Sequence, residues 1–408
     1  MVSAGTRPAA LAEPAGRRER AVERSEAGER SQAVERFEAV ERFEAVVAGG
    51  GPAGAVAALV LARAGRRVLL VDRHSDRQGP STFKVGETLP PAARPLLHDL
   101  GLWPGFAADA HLRCPGTYAS WGSRRLHGQS HLYDPNGHGW HLDRGRFDTF
   151  LRDAAVAAGA RLRKGDVVRH VTDAGEPRTL IREQGLVKEL YCDWVVDATG
   201  RRAVIGRQRA LRRRQDRLVA VFALFGHRLP GRRTEDVELR TLLEAAPQGW
   251  WYTARVPAGR LVAHLTDADL TDPALRTAEG FLSAVAPTRH IRVRLDGYDP
   301  AHTPEPRWTA AHGLRLSPPA GPGWIAAGDA AIAFDPLSSQ GILTALHTGA
   351  RAGRAAHLCL AGETGALAAY TSFLDRIADA YDRHHAEAYH QEQRWRTHAF
   401  WQRRQRSP

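Results

Sequence analysis

Lysine, methionine and cysteine are scarce in this sequence, and long apolar runs are absent from it. Only three of the 57 basic residues are lysines, at positions 84, 164 and 188, and the single methionine is at position 1. No segment approaches the ~18 consecutive apolar residues typical of a transmembrane helix, so no membrane-spanning segment is predicted. The charged N-terminus also lacks the apolar segment of a secretory signal peptide.

The three cysteines, Cys114, Cys192 and Cys359, are too far apart in sequence to form a C-x-x-C motif. Such sparse use of cysteine fits a reducing compartment, and we predict a cytoplasmic protein. The nineteen histidines are scattered without metal-ligand spacing. The sequence therefore predicts no metal site.

The formal net charge of +12 raises the question of a nucleic-acid partner. Arginines are densest at 201–217, with eight, and at 394–406, with five. Neither cluster lies in a recognisable nucleic-acid-binding module. We therefore predict that both clusters face solvent and that no nucleic acid binds.

Residues 1–42 are polar, and the tetrapeptide Ala-Val-Glu-Arg occurs in them three times. Low-complexity sequence of this kind buries too little apolar surface to fold, so we predict a disordered N-terminal arm. The alternative is a helical arm, because the Glu/Arg spacing allows ion pairs along a helix.

A short apolar strand at 44–48 runs into a G-x-G-x-x-G turn and then a helix-like segment. Gly49 allows the tight turn, Gly51 allows backbone to approach a pyrophosphate, and Gly54 allows helix and strand to pack closely. The helix N-terminus offers free N–H groups to an anion. The pattern predicts a dinucleotide site.

A second apolar strand, at 67–71, supports this interpretation. It ends in Asp72, 23 residues after Gly49, where a carboxylate can bind the two ribose hydroxyls. We include Asp72 and the adjacent Arg73 in the predicted site.

Four further motifs follow in the chain. Residues 84–91 read Lys-Val-Gly-Glu-Thr-Leu-Pro-Pro, and residues 143–148 read Asp-Arg-Gly-Arg-Phe-Asp at the start of a predicted helix. An apolar strand ends in Asp-Ala-Thr-Gly at 197–200. A last strand delivers Gly-Asp at 328–329, a turn follows, and a helix begins after residue 341 with its N–H groups free.

In this order the motifs resemble those of FAD-dependent monooxygenases and tryptophan halogenases of the aromatic-hydroxylase fold. The resemblance covers roughly residues 43–390 and is closest to the flavoproteins that mature quinone-cofactor amine oxidases and dehydrogenases. It implies an α/β protein, with a Rossmann-like FAD-binding domain of the glutathione-reductase type, an inserted antiparallel-sheet substrate domain and C-terminal helices.

The resemblance implies FAD as cofactor. The residues expected to bind it are Gly49, Gly51, Pro52, Ala53, Gly54, Asp72, Arg73, Glu87, Thr88, Arg144, Gly328, Asp329, Pro336, Gly341 and Ile342.

The same interpretation divides the chain after the arm at 1–42 into alternating pieces. The FAD-binding domain is predicted at 43–103, 141–215 and 313–360, the substrate domain at 104–140 and 216–312, and a C-terminal helical segment at 361–408.

Three alternative functions remain. The first is hydroxylation of an electron-rich aromatic ring, such as a peptidyl tryptophan, through a flavin hydroperoxide. The second is tryptophan-type halogenation. The third is a flavin reductase similar to geranylgeranyl reductase, or flavin binding without catalysis.

The lysines favour hydroxylation over halogenation. The catalytic lysine expected downstream of the Gly-Glu motif has no counterpart, since residues 113–117 contain none and Lys84 precedes the motif. The Gly-Trp-x-Trp-x-Ile-Pro signature of halogenases is only approximated at 249–257. No residue stands out as catalytic, and Lys84 and His264 are the candidates.

Trp250, Trp251, Ser339 and Gln340 are the predicted substrate contacts, on a small aromatic or a peptidyl substrate. Trp121, Trp140 and Tyr252 are further residues that could line an apolar substrate site. Tryptophans belong to the hydrophobic core as often as they line such a site, so both uses stay open. No second dinucleotide motif is present, so electrons are expected from NAD(P)H that binds transiently or from a partner flavin reductase.

Overall fold

The computed structural model describes residues 41–73, 83–172, 176–226 and 236–405. Residues 1–40 of the predicted N-terminal arm lie outside these ranges, and Arg42, its last residue, already belongs to the first strand. The architecture confirms the predicted α/β class, with a largely parallel sheet, a second antiparallel sheet and C-terminal helices.

The first sheet has eight strands. They are β1 (Arg42–Ala48), β2 (Val68–Asp72), β8 (Arg161–Lys164), β9 (Asp166–Val171), β10 (Arg178–Glu183), β11 (Leu186–Asp197), β19 (Ala320–Gly321) and β20 (Trp324–Ala326). The order is β19-β20-β11-β1-β2-β8, and the neighbours from β20 to β8 pair in parallel. The second half of β1 is fully buried, as expected of a parallel strand that is covered on both faces.

The second sheet has seven strands. They are β5 (Gly116–Ser120), β6 (His127–Ser130), β13 (Leu218–Phe225), β14 (Thr241–Ala246), β15 (Gly249–Val256), β16 (Gly259–Asp267) and β17 (Arg307–Ala310). The order is β17-β13-β16-β15-β14-β5-β6, and all neighbours are antiparallel except β14 and β5.

Two three-stranded sheets complete the β-structure of the described residues. One contains β3 (Thr88–Leu89), β4 (Leu112–Cys114) and β7 (Gly139–His141), and the other contains β12 (Leu211–Arg214), β18 (Leu314–Ser317) and β21 (Ile332–Ala333). All four residues of β12 are exposed, in line with the solvent-facing surface predicted for that arginine cluster.

The described α-helices flank these sheets. They are α1 (Pro52–Arg63), α2 (Ala93–Asp99), α3 (Trp103–Ala108), α4 (Arg144–Ala157), α5 (Gly206–Arg209), α6 (Ala278–Val285), α7 (Gly341–Leu360), α8 (Gly365–His390) and α9 (Ala399–Gln405). Short 3-10 turns lie at Gly200–Arg202, Pro273–Arg276, Arg292–Leu295, Pro300–His302, Gly328–Ala330 and Pro336–Ser338. None of these helices combines the length and apolarity that a membrane crossing requires.

Helices α1 and α7 pack at very short range. A side chain at Gly349 of α7 would collide with the backbone of Ala53 in α1, so only glycine fits there. The contact places the middle of α7 against the N-terminus of α1, although about 290 residues separate the starts of the two helices in the chain.

The C-terminal end of the chain is bound to the second sheet. Arg403 and Arg404 pair with Asp267 of β16 at 2.8 and 2.7 Å, and Trp401 donates its indole N–H to the carbonyl of Ala246 at 2.9 Å. The Arg404 side chain is only 5% exposed. The prediction that this arginine cluster faces solvent is therefore wrong for Arg404, because the buried carboxylate of Asp267 requires a counter-charge.

Candidate active site

A cavity of about 710 Å³ opens between the glycine turn after β1, the start of α7 and one face of the seven-stranded sheet. Its wall has two halves. The cofactor half is formed by residues 51–53 and 86–88, Arg144, Ala198, Gly200, Arg201, residues 327–329 and 334–336, Ser339, Gly341, Ile342 and Ala345. The aromatic half is formed by side chains of the second sheet and by Phe83.

The glycine turn contains two structural glycines and one that is open to the cavity. Gly49 has φ +100°, and a side chain there would collide with the carbonyl of Ala198. A side chain at Gly54 would collide with the carbonyl of Gly49. A Cβ at Gly51 would meet no protein atom within 4 Å, and Gly51, Pro52 and Ala53 line the cavity. Gly49 and Gly54 therefore build the turn, and Gly51 keeps space open beside the helix N-terminus.

Asp72 and Arg73 lie outside the wall of this cavity. The Asp72 carboxylate accepts a hydrogen bond from the N–H of Gly50 at 2.5 Å and so holds the glycine turn. Arg73 forms an ion pair with Asp166. Their predicted contact with the cofactor stays a prediction.

A carboxylate buried in α4 organises the next part of the wall. Arg144 donates to Asp148 Oδ1 from Nε and Nη2, at 3.3 and 3.2 Å, and its Nη1 donates to the carbonyl of Gly86 at 2.6 Å. Lys84 donates from Nζ to Asp148 Oδ2 at 2.9 Å. Both cations reach the cavity wall, and both are attached to the same buried carboxylate.

Glu87 follows directly in this segment and is 1% exposed. Its Oε2 accepts the N–H of Gly86 at 2.9 Å. Burial raises the pKa of Glu87 to about 7, although hydrogen bonds and Arg144 oppose the shift. Glu87 and its neighbour Thr88 line the cavity, so a carboxyl that titrates near neutral pH lies at the site.

Strand β20 delivers the last motif to the cavity. Gly328 has φ +60°, and its N–H donates to Thr348 of α7 at 2.8 Å. The Asp329 carboxylate lies 3.5 Å from Nε of Arg201 and keeps 38% of its surface open. The protein around the cavity nevertheless removes water from Asp329, and this desolvation raises the pKa of its carboxyl. The charges of Arg201 and Arg144 oppose the shift.

Helix α7 begins at the cavity with its N–H groups uncapped by any side chain. Pro336, Gly341 and Ile342 line the cavity, as does Ser339, whereas Gln340 does not. A side chain at Gly341 would meet no protein atom within 4 Å. The helix N-terminus is thus free to face an anion or a polar group of a ligand.

The aromatic half follows from the alternation of side chains along strands. Trp250 and Tyr252 of β15 point into the cavity with Phe222 of β13, whereas Trp251 points to the opposite face. His264 lies opposite Trp251 in the ladder and stacks on it, with ring centroids 4.4 Å apart. The structure therefore removes Trp251 and His264 from the cavity, because both have the wrong strand phase.

The indole of Trp250 is held by a buried chain of hydrogen bonds. Its Nε1 donates to the hydroxyl of Tyr389 at 3.1 Å, and that hydroxyl donates to Asp335 Oδ2 at 2.8 Å. His385 Nε2 lies 3.3 Å from the same oxygen. Burial by itself would raise the pKa of Asp335, but His385 and Arg404 outweigh it and hold the pKa below its usual value.

The family model for the FAD binding domain matches residues 42–381, which is most of the chain. The chain belongs to this FAD-binding family. It is 29% identical over 370 residues to the FAD-dependent oxidoreductase LodB of Marinomonas mediterranea, a match that covers 88% of this chain and 96% of that protein.

Two solved structures share the fold. The myxobacterial chondrochloren halogenase CndH superposes with a TM-score of 0.79 at 23% identity, over 90% of this chain and 86% of that one. The peptidyl tryptophan dihydroxylase QhpG superposes with a TM-score of 0.72 at 26% identity, over 90% of this chain and 79% of that one. This protein is thus an FAD-dependent oxidoreductase that shares its fold with halogenase-like flavoproteins.

The cofactor half fits FAD by its own geometry. The space beside Gly51 and the N-terminus of α1 suit a pyrophosphate, since backbone N–H groups and a helix dipole favour its charge. Asp329 offers a carboxylate to hydroxyl groups, and the uncapped start of α7 offers N–H donors. No group of three or more metal-ligating side chains occurs among the described residues.

Several wall residues had no clear signal in the sequence. Arg201 directly follows the Asp-Ala-Thr-Gly motif, but it was counted only within a charge cluster. Asp335 and Arg307 of the wall, and Tyr389 behind it, come from segments far apart in the chain. Only the adjacency of Asp335 to the predicted turn at Pro336 could have indicated one of them.

Proposed function

We propose that this flavoprotein is a monooxygenase that hydroxylates an electron-rich aromatic ring, with a peptidyl tryptophan as the favoured substrate. Electrons come from NAD(P)H that binds transiently or from a partner flavin reductase. The cytoplasmic location predicted from the sequence belongs to the same proposal.

The observation that carries this proposal is the state of the lysines. Lys84 is the only lysine on the cavity wall, and its amine is bound to Asp148, a buried carboxylate that Arg144 also holds. Lys164 and Lys188 lie on β8 and β11 of the other sheet. The wall therefore offers no free amine to position or capture a halogenating species beside an aromatic ring.

When bound, FAD supplies the redox chemistry that activates molecular oxygen. The protein's own contribution is a dry, rigid place for the ring. Trp250, Tyr252 and Phe222 form an apolar wall that excludes water. The hydrogen bond from Trp250 to Tyr389 fixes the orientation of the Trp250 side chain within this wall. Glu87 can accept or release a proton at its carboxyl oxygens near neutral pH, because burial raises its pKa to about 7.

Two similarities support this assignment. The chain matches LodB over nearly the whole length of both proteins, and it shares its fold with QhpG, which acts on peptidyl tryptophan. Similarity to CndH, a halogenase, keeps halogenation as a second candidate, and the position of Lys84 on the cavity wall is the observation in its favour.

The test supplies reduced FAD, oxygen and excess chloride or bromide, with either free tryptophan or a tryptophan-containing peptide, and measures product masses. We expect addition of oxygen that is independent of halide and persists in Lys84→Gln. A halogenated product that disappears in Lys84→Gln would establish halogenation instead. A product enriched only in hydrogen would indicate a reductase.

A further inference from the structure

Strand β17 forms one end of the seven-stranded sheet. It pairs with β13, and no other strand in the described part of the chain pairs with its outer edge. Arg307, Trp308 and Ala310 are exposed. An edge of this kind presents unpaired N–H and C=O groups that can accept another strand.

The ladder shows which peptide groups point outward. The N–H of Ala311 donates to the carbonyl of Leu218 at 3.0 Å, so this pair is hydrogen bonded. In an antiparallel ladder the bonded pairs alternate with unbonded ones. Thr309 and Arg307 therefore bond inward to β13, and the N–H and C=O groups of Trp308 and Ala310 point away from the sheet.

This open edge borders the cavity. All five residues from 307 to 311 line it, although their side chains alternate between the two faces of the sheet. Arg307 lies opposite Phe222 on the cavity face, and Trp308 lies opposite Val221 on the other face. A strand lines a cavity with residues from both faces when its backbone edge, rather than one face, forms the wall.

We infer that β17 is a docking strand on which the extended backbone of a peptide substrate adds to the sheet, so that one aromatic side chain of the peptide enters the aromatic half. Strand addition supplies affinity through main-chain hydrogen bonds, and a pocket beside the strand selects the side chain. The inference rests on the proposed function, because it takes an aromatic residue as the reacting group.

The charge beside this edge indicates the chemistry of the peptide. Arg307 lies over the ring of Phe222 at 5.1 Å, and Arg276 lies over the ring of Trp308 at 5.6 Å. Neither arginine forms an ion pair with a carboxylate of the described residues. We therefore expect acidic residues beside the target tryptophan.

The first experiment uses a labelled peptide of about nine residues, a usual strand length, with one central tryptophan and acidic flanks. Two twins of this peptide have the same sequence and differ from it only in backbone N-methyl groups. The first twin is methylated on the tryptophan and on the residues two positions before and after it. The second twin is methylated on the residues directly before and after the tryptophan. These patterns block opposite edges of the extended peptide. Fluorescence anisotropy measures the affinity of all three for the FAD-loaded protein.

We expect one twin to bind much more weakly and the other to bind like the parent peptide. Equal affinities of all three peptides, or no binding of the parent, would overturn the inference. Oxygen addition to the parent peptide, measured in parallel by mass, reports on the proposed function. A peptide that binds without being oxygenated contradicts hydroxylation alone, and a peptide that is oxygenated while all three peptides bind equally contradicts strand docking alone.

The matched protein variants are Ala310→Pro and Ala310→Val. Proline removes the outward N–H and is tolerated on an edge strand, because that group makes no bond within the sheet. Valine keeps the N–H and adds similar bulk. We expect a roughly three- to tenfold loss of peptide affinity in Ala310→Pro only, the effect of one hydrogen bond. Equal loss in both variants would mean that bulk, not the backbone bond, is responsible.

Discussion

The two halves of the cavity recognise their ligands by different means. The cofactor half consists largely of backbone, since glycines, helix N-termini and tight turns form it within short motifs. The aromatic half consists of side chains from strands that are far apart in the chain. The difference shows that backbone recognition is encoded locally, whereas side-chain recognition depends on which face of a sheet each residue occupies.

The largest expected effect separates the two roles of glycine in the cofactor half. Gly51→Val should fold and lose FAD, because its Cβ enters space that the protein leaves open. Gly54→Val should fail to fold, because its side chain collides with the backbone of Gly49. Flavin absorbance per protein and the melting temperature measure the two outcomes. FAD retained at full occupancy in Gly51→Val would contradict the assignment of this turn.

The same substitution on opposite faces of β15 tests the aromatic half. Trp250→Phe removes the hydrogen bond to Tyr389 and loosens the cavity wall, so we expect a roughly 10- to 100-fold fall in kcat/KM. Trp251→Phe changes the packing against His264 and Phe281 and should cost about 1 kcal/mol of stability with little change in activity. Steady-state kinetics and urea unfolding provide the measurements. Similar kinetic losses in both variants would show that the two faces are not functionally distinct.

The last comparison concerns stability alone and is a pH dependence at His264, on the sheet face opposite the cavity. Burial lowers the pKa of His264 to about 4, from an ordinary value near 6.5. The unfolded chain therefore takes up a proton that the folded protein excludes, and stability is lost as pH falls through this window. Between pH 7 and pH 5 the loss from this group is about 2 kcal/mol.

The control for this effect is His264→Phe, which keeps a ring against Trp251 but cannot titrate. Urea unfolding at pH 7 and pH 5 should show that the variant loses less stability than the wild type, while other buried histidines contribute equally to both. An identical pH dependence in the two proteins would mean that folding does not lower the pKa of His264.

For this physical reason, many of the cofactor contacts that the sequence predicts fall on one cavity wall, although their contact with FAD stays a prediction. Gly51, Glu87 and Asp329 belong to contiguous motifs in which the spacing itself produces the geometry, and all three line the cavity. Asp72 is predicted on the same basis; its carboxylate accepts the N–H of Gly50, and its contact with the cofactor stays a prediction. Motif spacing places a side chain near a site but does not decide which hydrogen bond it makes.

The aromatic half was only partly predictable. A run of three aromatic residues, Trp250 to Tyr252, does not reveal its strand phase when both faces of the sheet are buried. Asp335 and Tyr389 meet only because α8 packs across the end of the second sheet, and no local pattern encodes that packing. Arg404 was expected to face solvent for the same reason.

The attachment of the C-terminal helices to the second sheet has a consequence for biosynthesis. Both glycine motifs of the cofactor half are synthesised before α8 and α9. Trp250 obtains its hydrogen-bond partner, and Asp267 its counter-charge, only from these last helices. The nascent chain can therefore form the cofactor half while the aromatic half still lacks the contacts that α8 and α9 supply. A chain released before α8 would be expected to bind flavin while Trp250 lacks the hydroxyl that holds its indole.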